Sequence, residues 1–192
     1  DCAFYCFSGH KVFGPTGTGV LFGKEEFLQN CFPSKFGGGM VDSVKELKSS
    51  RAEIPHKLEA GTPNIAGIIG LGEAINFVQK LGPSNILKHE NKLTSKFKEL
   101  MANIDGITIY GNKNKLAPIF TFNIDGLHHY DIASILSEYN IYTRSGHLCC
   151  QTLMNHCKIP GAVRASMSIY NSETEIEQFM LILKKEISFL KK

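Results

Sequence analysis

Three stretches of the sequence gather side chains that could do chemistry. The first is Ser8-Gly9-His10-Lys11, followed at once by Gly14-Pro15-Thr16-Gly17-Thr18-Gly19. An apolar run over residues 3–7 leads into it, so a strand would end on a hydroxyl, exposed amides and an imidazole, a seat for a phosphate. Lys11 would hang over whatever that phosphate anchors. An amine near other cationic donors and partly desolvated is suited to forming a Schiff base. A solvated Lys in a glycine-rich turn has the same signature, and P-loop spacing is absent. The second stretch is Arg144-Ser145-Gly146-His147-Leu148-Cys149-Cys150. Cations and an imidazole beside Cys149 would make it a nucleophile; a buried apolar thiol fits the same residues. The third clue is arginine usage: of 21 basic residues only Arg51, Arg144 and Arg164 are Arg, two of them bracketing Cys149. Where Lys is the default cation, an Arg can mark a need for a two-pronged donor to a carboxylate.

A zinc reading of His147, Cys149, Cys150, His156 and Cys157 fails on spacing, because adjacent ligands point apart in an extended segment and no Cys-x-x-Cys is present. A thiol-protease reading lacks a local signature around the Cys. Cys2, Cys6 and Cys31 read as core, and all six Cys as reduced thiols.

These residues need elements to hold them. Short apolar runs at 3–7 and 19–22 read as strands between Gly- and Pro-rich loops at 8–18, 32–39 and 60–63. Asn64 is placed to cap a helix over 65–81, stopped by Gly82-Pro83, which marks a domain boundary. A second helix over 84–103 carries Ile86, Leu87, Leu93, Phe97 and Leu100 on one face. Strands follow at 107–110, 119–124, 141–144 and 163–170, with a helix at 130–139 between them. A closing helix over 173–190 starts with the capping box Ser172-x-x-Glu175. Residues 84–192 therefore read as mostly antiparallel strands covered by helices on one face.

Composition narrows the classes of function. Hydrophobic residues make up 43% of 192 and Gly numbers 18, which excludes a disordered chain. The net charge of +3 is spread without a basic run longer than Lys191-Lys192, so no nucleic-acid footprint is visible. The longest apolar stretch, at 65–75, is broken by three Gly and Glu73 and falls short of the roughly 20 residues of a membrane span. The expectation is a soluble protein. The start at Asp1 inside an apolar run reads as the middle of a fold, so a fragment is expected.

Taken in order, Ser8-Gly9-His10-Lys11, Glu59-Ala60-Gly61-Thr62-Pro63-Asn64, Arg144-Ser145-Gly146-His147-Leu148-Cys149 and Val163-Arg164-Ala165-Ser166 resemble one family over essentially the whole chain. It is the pyridoxal 5'-phosphate-dependent cysteine desulfurases of aminotransferase class V, in the class II, sulfur-mobilisation branch. The resemblance implies an α/β chain that forms the C-terminal part of a type I fold of pyridoxal-phosphate-dependent transferases. Residues 1–82 would end the large cofactor domain, and 84–192 would make the small α/β domain. It also implies that residues 37–57 form the β-hairpin excursion of class II.

Carried over by position, the resemblance makes Lys11 the Schiff-base lysine, Ser8 and His10 phosphate ligands, and Thr62 a phosphate ligand reaching into the partner subunit of a homodimer. Arg164 would clamp the substrate carboxylate, Cys149 would accept sulfur as a persulfide, and Arg144 would sit beside it. L-cysteine would be converted to alanine, and the sulfur handed to an acceptor protein of iron–sulfur cluster assembly. The compartment would be a bacterial cytoplasm, a plastid or the mitochondrial matrix. Two positions depart from the pattern: Leu148 stands where a second His is usual, and Cys150 where a small residue is expected. The family's ring-stacking His and the Asp for the pyridinium nitrogen belong to the other half, so the fragment alone is expected to be inactive. A selenocysteine lyase, another class-V lyase, or a non-catalytic half-enzyme that only pairs with a second chain are the alternatives.

Overall fold

The computed structural model describes residues 2–111 and 117–190; the Lys191-Lys192 pair lies outside them. The chain divides into two compact units, Asp1–Gly82 and Pro83–Lys192, each described by itself.

In the first unit, β1 (Phe4–Ser8) pairs antiparallel with β2 (Gly19–Gly23), running from Phe4 opposite Gly23 to Ser8 opposite Gly19. A short helix, α1 (Glu25–Leu28), follows. The expected excursion is a hairpin of β3 (Val41–Lys45) and β4 (Lys48–Arg51). Its base is tied by Ala52 N–H to Met40 carbonyl and Gly61 N–H to Gly38 carbonyl, both 2.9 Å. Arg51 belongs to this hairpin and stacks over Phe32 at 4.1 Å, a packing role for the one Arg outside the second unit. The unit ends in α2 (Ile65–Leu81), where the Asn64 side chain accepts from Gly67 N–H at 3.1 Å, satisfying an amide the helix leaves orphaned.

Cys2 and Cys6 are exposed and Cys31 is half-buried, so the expectation that these three sit in the core is corrected. The physical reason is the sheet: β1 and β2 form a two-stranded ribbon, with Tyr5, Leu21 and Phe22 all more than half exposed. Apolar composition marks a strand that some layer should cover, and no layer among the described residues of this unit covers it.

In the second unit, α3 (Pro83–Met101) opens on a proline, which suits a first turn whose N–H has no partner. It buries Leu93, Phe97 and Met101 at four-residue spacing, whereas Leu87 is exposed. The sheet contains β5 (Ile107–Tyr110), β6 (Ile119–Ile124), β7 (Arg144–Gly146) and β8 (Ala162–Ser166), in spatial order β5-β6-β8-β7, every pair antiparallel. Helices α4 (His129–Glu138), α5 (Gln151–His156) and α6 (Glu173–Leu190) complete it. Phe97 stacks with Phe120 at 4.4 Å and with Phe179 at 5.3 Å, joining α3, β6 and α6 in one core with Ile132, Leu136, Val163 and Leu183. The capping box forms: Ser172 N–H donates to Glu175 Oε2 at 2.6 Å, and Glu175 N–H to Ser172 Oγ at 3.2 Å.

Two strands differ from expectation. The strand expected at 141–144 is Arg144–Gly146, because α4 closes with Asn140 at φ 59° and Ile141 N–H bonded back to Leu136, so residues 141–143 serve to leave the helix. The strand expected at 163–170 is Ala162–Ser166, since Ser168 N–H turns to the Asn171 side chain at 2.9 Å. The short helices α1 and α5 carry too few turns for a periodic signal.

Candidate functional site

At the end of β1 the chain makes a single 3-10 turn over Gly9–Lys11. Gly9 sits at its base, buried. Its N–H donates to Thr18 carbonyl at 2.9 Å, and its carbonyl accepts from Val12 and Gly14. A Cβ on Gly9 would run into the Thr18 hydroxyl, with Pro15 carbonyl 3.3 Å and Leu71 Cδ1 3.4 Å away. That hydroxyl is itself committed, donating to Pro15 carbonyl at 2.9 Å. The glycine-rich loop is thus folded against its own strand and against α2, and it thrusts the next residues outward. His10 and Lys11 are exposed and Ser8 is half-buried. Their side chains make no hydrogen bond among the described residues, which leaves a hydroxyl, an imidazole and an amine free to meet a ligand. Thr62 is exposed two residues before the cap of α2.

The second cluster lies in the other unit. β7 ends at Gly146, with φ 103°, a backbone conformation for which glycine is suited. A Cβ there would approach the Tyr130 hydroxyl to 2.9 Å. The chain then turns: Cys150 N–H bonds to His147 carbonyl at 2.9 Å, and the two residues between, Leu148 and Cys149, have φ 55° and 61°. Turns with both central residues at positive φ favour Asn and Gly. Two side-chain-bearing residues there cost on the order of 1–2 kcal/mol each, an outlay that a purely structural turn would avoid by using glycine. The segment is therefore a turn followed by α5, and the extended geometry used to set aside adjacent ligands does not apply to it.

The turn separates the two thiols. Cys149 is exposed and lines an open groove of about 480 Å³ with Tyr130, Arg144, Ser145, His147, Leu148 and Gln151. Cys150 is half-buried, and its Sγ–H donates to the His147 carbonyl at 3.1 Å. The groove thus receives one thiol while its neighbour's proton is engaged in the turn.

Arg164 is on β8, directly opposite Arg144 of β7 in the ladder. Like charges paired across strands are destabilising unless an anion joins them. Arg164 Nε is buried and has no partner among the described residues, so a donor stands ready for an acceptor that this chain does not supply. Beside the Tyr130 ring, at 4.5 Å between centroids, His129 is 5% exposed, and its Nδ1 has no partner among the described residues. Burial first, then the charges of His128 and His147, hold its pKa below the ordinary value, while Asp131 opposes them. The structure thus brings Ser8, His10 and Lys11 together on one bend, and Arg144 and Cys149 into one groove with Arg164 across the ladder from Arg144. Sequence reading missed Tyr130 and Gln151 in that groove; Tyr130 falls on α4, whose contact with β7 has no local pattern, and Gln151 opens the short helix α5.

The family model for aminotransferase class V matches residues 1–179. A probable cysteine desulfurase of Staphylococcus epidermidis is 44% identical over 190 residues, covering 98% of this chain and 46% of the relative. One from Staphylococcus aureus is 44% identical over 187 residues, covering 97% and 45%. Among solved structures, the apo cysteine desulfurase of Thermococcus onnurineus is 38% identical with a TM-score of 0.91, covering 97% of this chain and 47% of that one. An Escherichia coli cysteine desulfurase is 33% identical with a TM-score of 0.89, covering 97% and 46%. The chain spans about half the length of the curated relatives it matches. With a mixed α/β architecture shared by those structures and a family match over nearly its whole length, the chain belongs to the aminotransferase class-V family.

Proposed function

We propose that the complete protein of which this chain is part is a cysteine desulfurase, taking sulfur from L-cysteine as a persulfide on Cys149 and releasing alanine. The observation that carries the reading is the second cluster: one exposed thiol on a strained turn, in a groove with Arg144, and Arg164 opposite with an unpartnered Nε. A small zwitterionic thiol supplies both a carboxylate for Arg164, whose Nε has no partner among the described residues, and the sulfur that Cys149 would attack. The names of the relatives agree.

The bend at the end of β1 fits pyridoxal 5'-phosphate, because its free donors are of the right kinds: Ser8 and His10 would hold the phosphate and Lys11 would be the covalent anchor. When bound, that cofactor supplies an electron sink for charge developing on the substrate α-carbon. Lys11, released from its anchoring role, would take the α-proton as general base. Arg164 would grip the carboxylate two-pronged and fix which way the substrate sulfur points. The Cys149 sulfur would attack that sulfur, forming the sulfur–sulfur bond of the persulfide as the carbon–sulfur bond breaks; the electron pair of that bond would stay with the substrate carbon, which takes up a proton, and Lys11 would return the α-proton to complete alanine. Thr62 would serve the phosphate of the second subunit of a homodimer, and an acceptor protein of iron–sulfur assembly would draw sulfur from the exposed Cys149 turn. Residues 1–82 would then be the end of the cofactor domain and 84–192 the small domain, with further cofactor contacts supplied from outside this chain.

The test is Lys11→Ala in the complete protein. It should abolish both the visible absorbance of bound cofactor and alanine formation, and borohydride should trap the cofactor on Lys11 in the parent. Trapping on a different lysine would refute the assignment.

A further inference from the structure

The groove around Cys149 has a wall that neither the family resemblance nor the reading above employs. Tyr130 is the second residue of α4, more than half exposed, yet its ring is held on three sides. It lies 5.5 Å from the His128 ring and 4.5 Å from the His129 ring, centroid to centroid. Its backbone N–H is engaged by His128 Nδ1 at 3.3 Å. Its hydroxyl end rests on the α-carbon of Gly146, where any side chain would meet Oη at 2.9 Å and Cζ at 3.6 Å. These contacts narrow the positions open to the phenol before any ligand arrives, which lowers the ordering cost of its acting as a donor.

The hydroxyl has no hydrogen-bond partner among the described residues. Tyr130 lines the same groove as Cys149, Arg144, His147 and Gln151. The charged and polar groups that share this lining with Cys149 are Arg144, the His147 imidazole, the Gln151 amide and the phenol; the His128 ring, at the cap of α4, and the His129 ring, on α4, pack against the phenol, and Asp131 follows it on α4. A sulfur anion, whether thiolate or terminal persulfide, is stabilised by donors aimed at it. Leu148, in the turn itself, offers none.

We propose that the Tyr130 hydroxyl donates a hydrogen bond to the sulfur anion carried on Cys149, and that Gly146 is small so that this phenol can reach the turn. The inference rests on Cys149 as the sulfur-accepting residue and adds the group that holds its charge.

The experiment uses the complete holoprotein, with Tyr130→Phe and Tyr130→Ala compared by the rate of iodoacetamide labelling at Cys149, read by peptide mass spectrometry from about pH 6 to pH 9. Tyr130→Phe keeps the ring packing and removes the donor alone. It should slow labelling about three- to tenfold at neutral pH, with the difference closing at alkaline pH where the thiol ionises unaided. The visible absorbance of bound cofactor should be unchanged. A Tyr130→Phe profile that overlays the parent overturns the proposal, as does a change confined to Tyr130→Ala, which would make the residue a packing element only. Failure of the underlying reading would look different: Cys149→Ser would still release sulfur from cysteine at the parent rate, whatever Tyr130 does to labelling.

Discussion

Adding one methyl group at Gly9 should disable the bend proposed to hold the cofactor while leaving its side chains in place. The Cβ of Gly9→Ala would fall on the Thr18 hydroxyl, with Pro15 carbonyl 3.3 Å and Leu71 Cδ1 3.4 Å away. Thr18 cannot simply rotate, because its methyl lies where a Cβ on Gly67 would be, against the first turn of α2, while its hydroxyl is bonded to Pro15 carbonyl. Overpacking of this kind costs about 1–3 kcal/mol, and loss of the Thr18 hydrogen bond adds about 0.5–1.5 kcal/mol. The sum, on the order of 2–4 kcal/mol, is a large share of a typical domain's stability. Gly72→Ala is the internal control: nothing lies within 4 Å of its Cβ. Its helical position should gain roughly 0.5–1 kcal/mol from the better helix former. In the complete protein, urea midpoints should move in opposite directions for the two variants. Pyridoxal phosphate titrations followed in the visible should weaken at least tenfold for Gly9→Ala only, since a displacement of the bend by about 1 Å carries Ser8, His10 and Lys11 with it. Equal midpoints for Gly9→Ala and Gly72→Ala, or unaltered cofactor affinity in Gly9→Ala, would refute the reasoning.

Three further outcomes are expected. In a sulfide-release assay Cys149→Ser should lose persulfide formation and Cys150→Ser should lose little, since only Cys149 lines the groove; the opposite pattern would move the nucleophile to Cys150. Arg164→Lys should raise KM for cysteine far more than a surface change, with a loss on the order of 2–3 kcal/mol in kcat/KM because a point charge replaces a fork; an unaltered KM would give the carboxylate to Arg144 or to a residue outside this chain. Because the pKa of His129 is depressed in the fold from 6.5, the unfolded chain binds the proton first. Its contribution to stability is therefore complete above about pH 6.5 and lost as pH falls toward the depressed value. The carboxylates of Glu173 and Glu186 are held low by hydrogen bonds from Lys92 and Tyr139, so their contributions are lost only on acidification below 4.5. The urea midpoint gap between about pH 7.5 and 5.5 should shrink in His129→Gln; an undiminished gap would assign the titration elsewhere.

Features encoded in contiguous residues were legible, and those produced by register or packing were not. Asn64 with an apolar run and a Gly-Pro stop announces α2 at both ends, and the structure has it at Ile65–Leu81. Ser172-x-x-Glu175 likewise announces α6. The β7 strand was misplaced by three residues because Asn140, in the left-handed region, delays the start of the ladder. Cys2, Cys6 and Cys31 were misread because apolarity says that a residue wants cover without saying which chain segment provides it.

The same distinction separates the two clusters, each within its own unit. Ser8, His10 and Lys11 are neighbours in sequence and share one bend, so their association could be argued from the residues themselves. Arg144 and Arg164 are twenty positions apart and meet because β7 and β8 run antiparallel in one register; sliding either strand by a residue would put the two guanidinium groups on opposite faces of the sheet. Cys149 faces the groove because two successive residues accept positive φ. No propensity scale anticipates that from Leu-Cys, and it makes the turn the most strained backbone in the unit's candidate site. Such strain persists only where surrounding contacts over-determine it: Gly146 packed under Tyr130 before the turn, and the bonds from Leu153 and Met154 back to the Cys150 carbonyl after it. The groove is thus held from both sides by elements that contribute no recognisable motif, which is why a thiol legible in the sequence acquires its setting only in the fold.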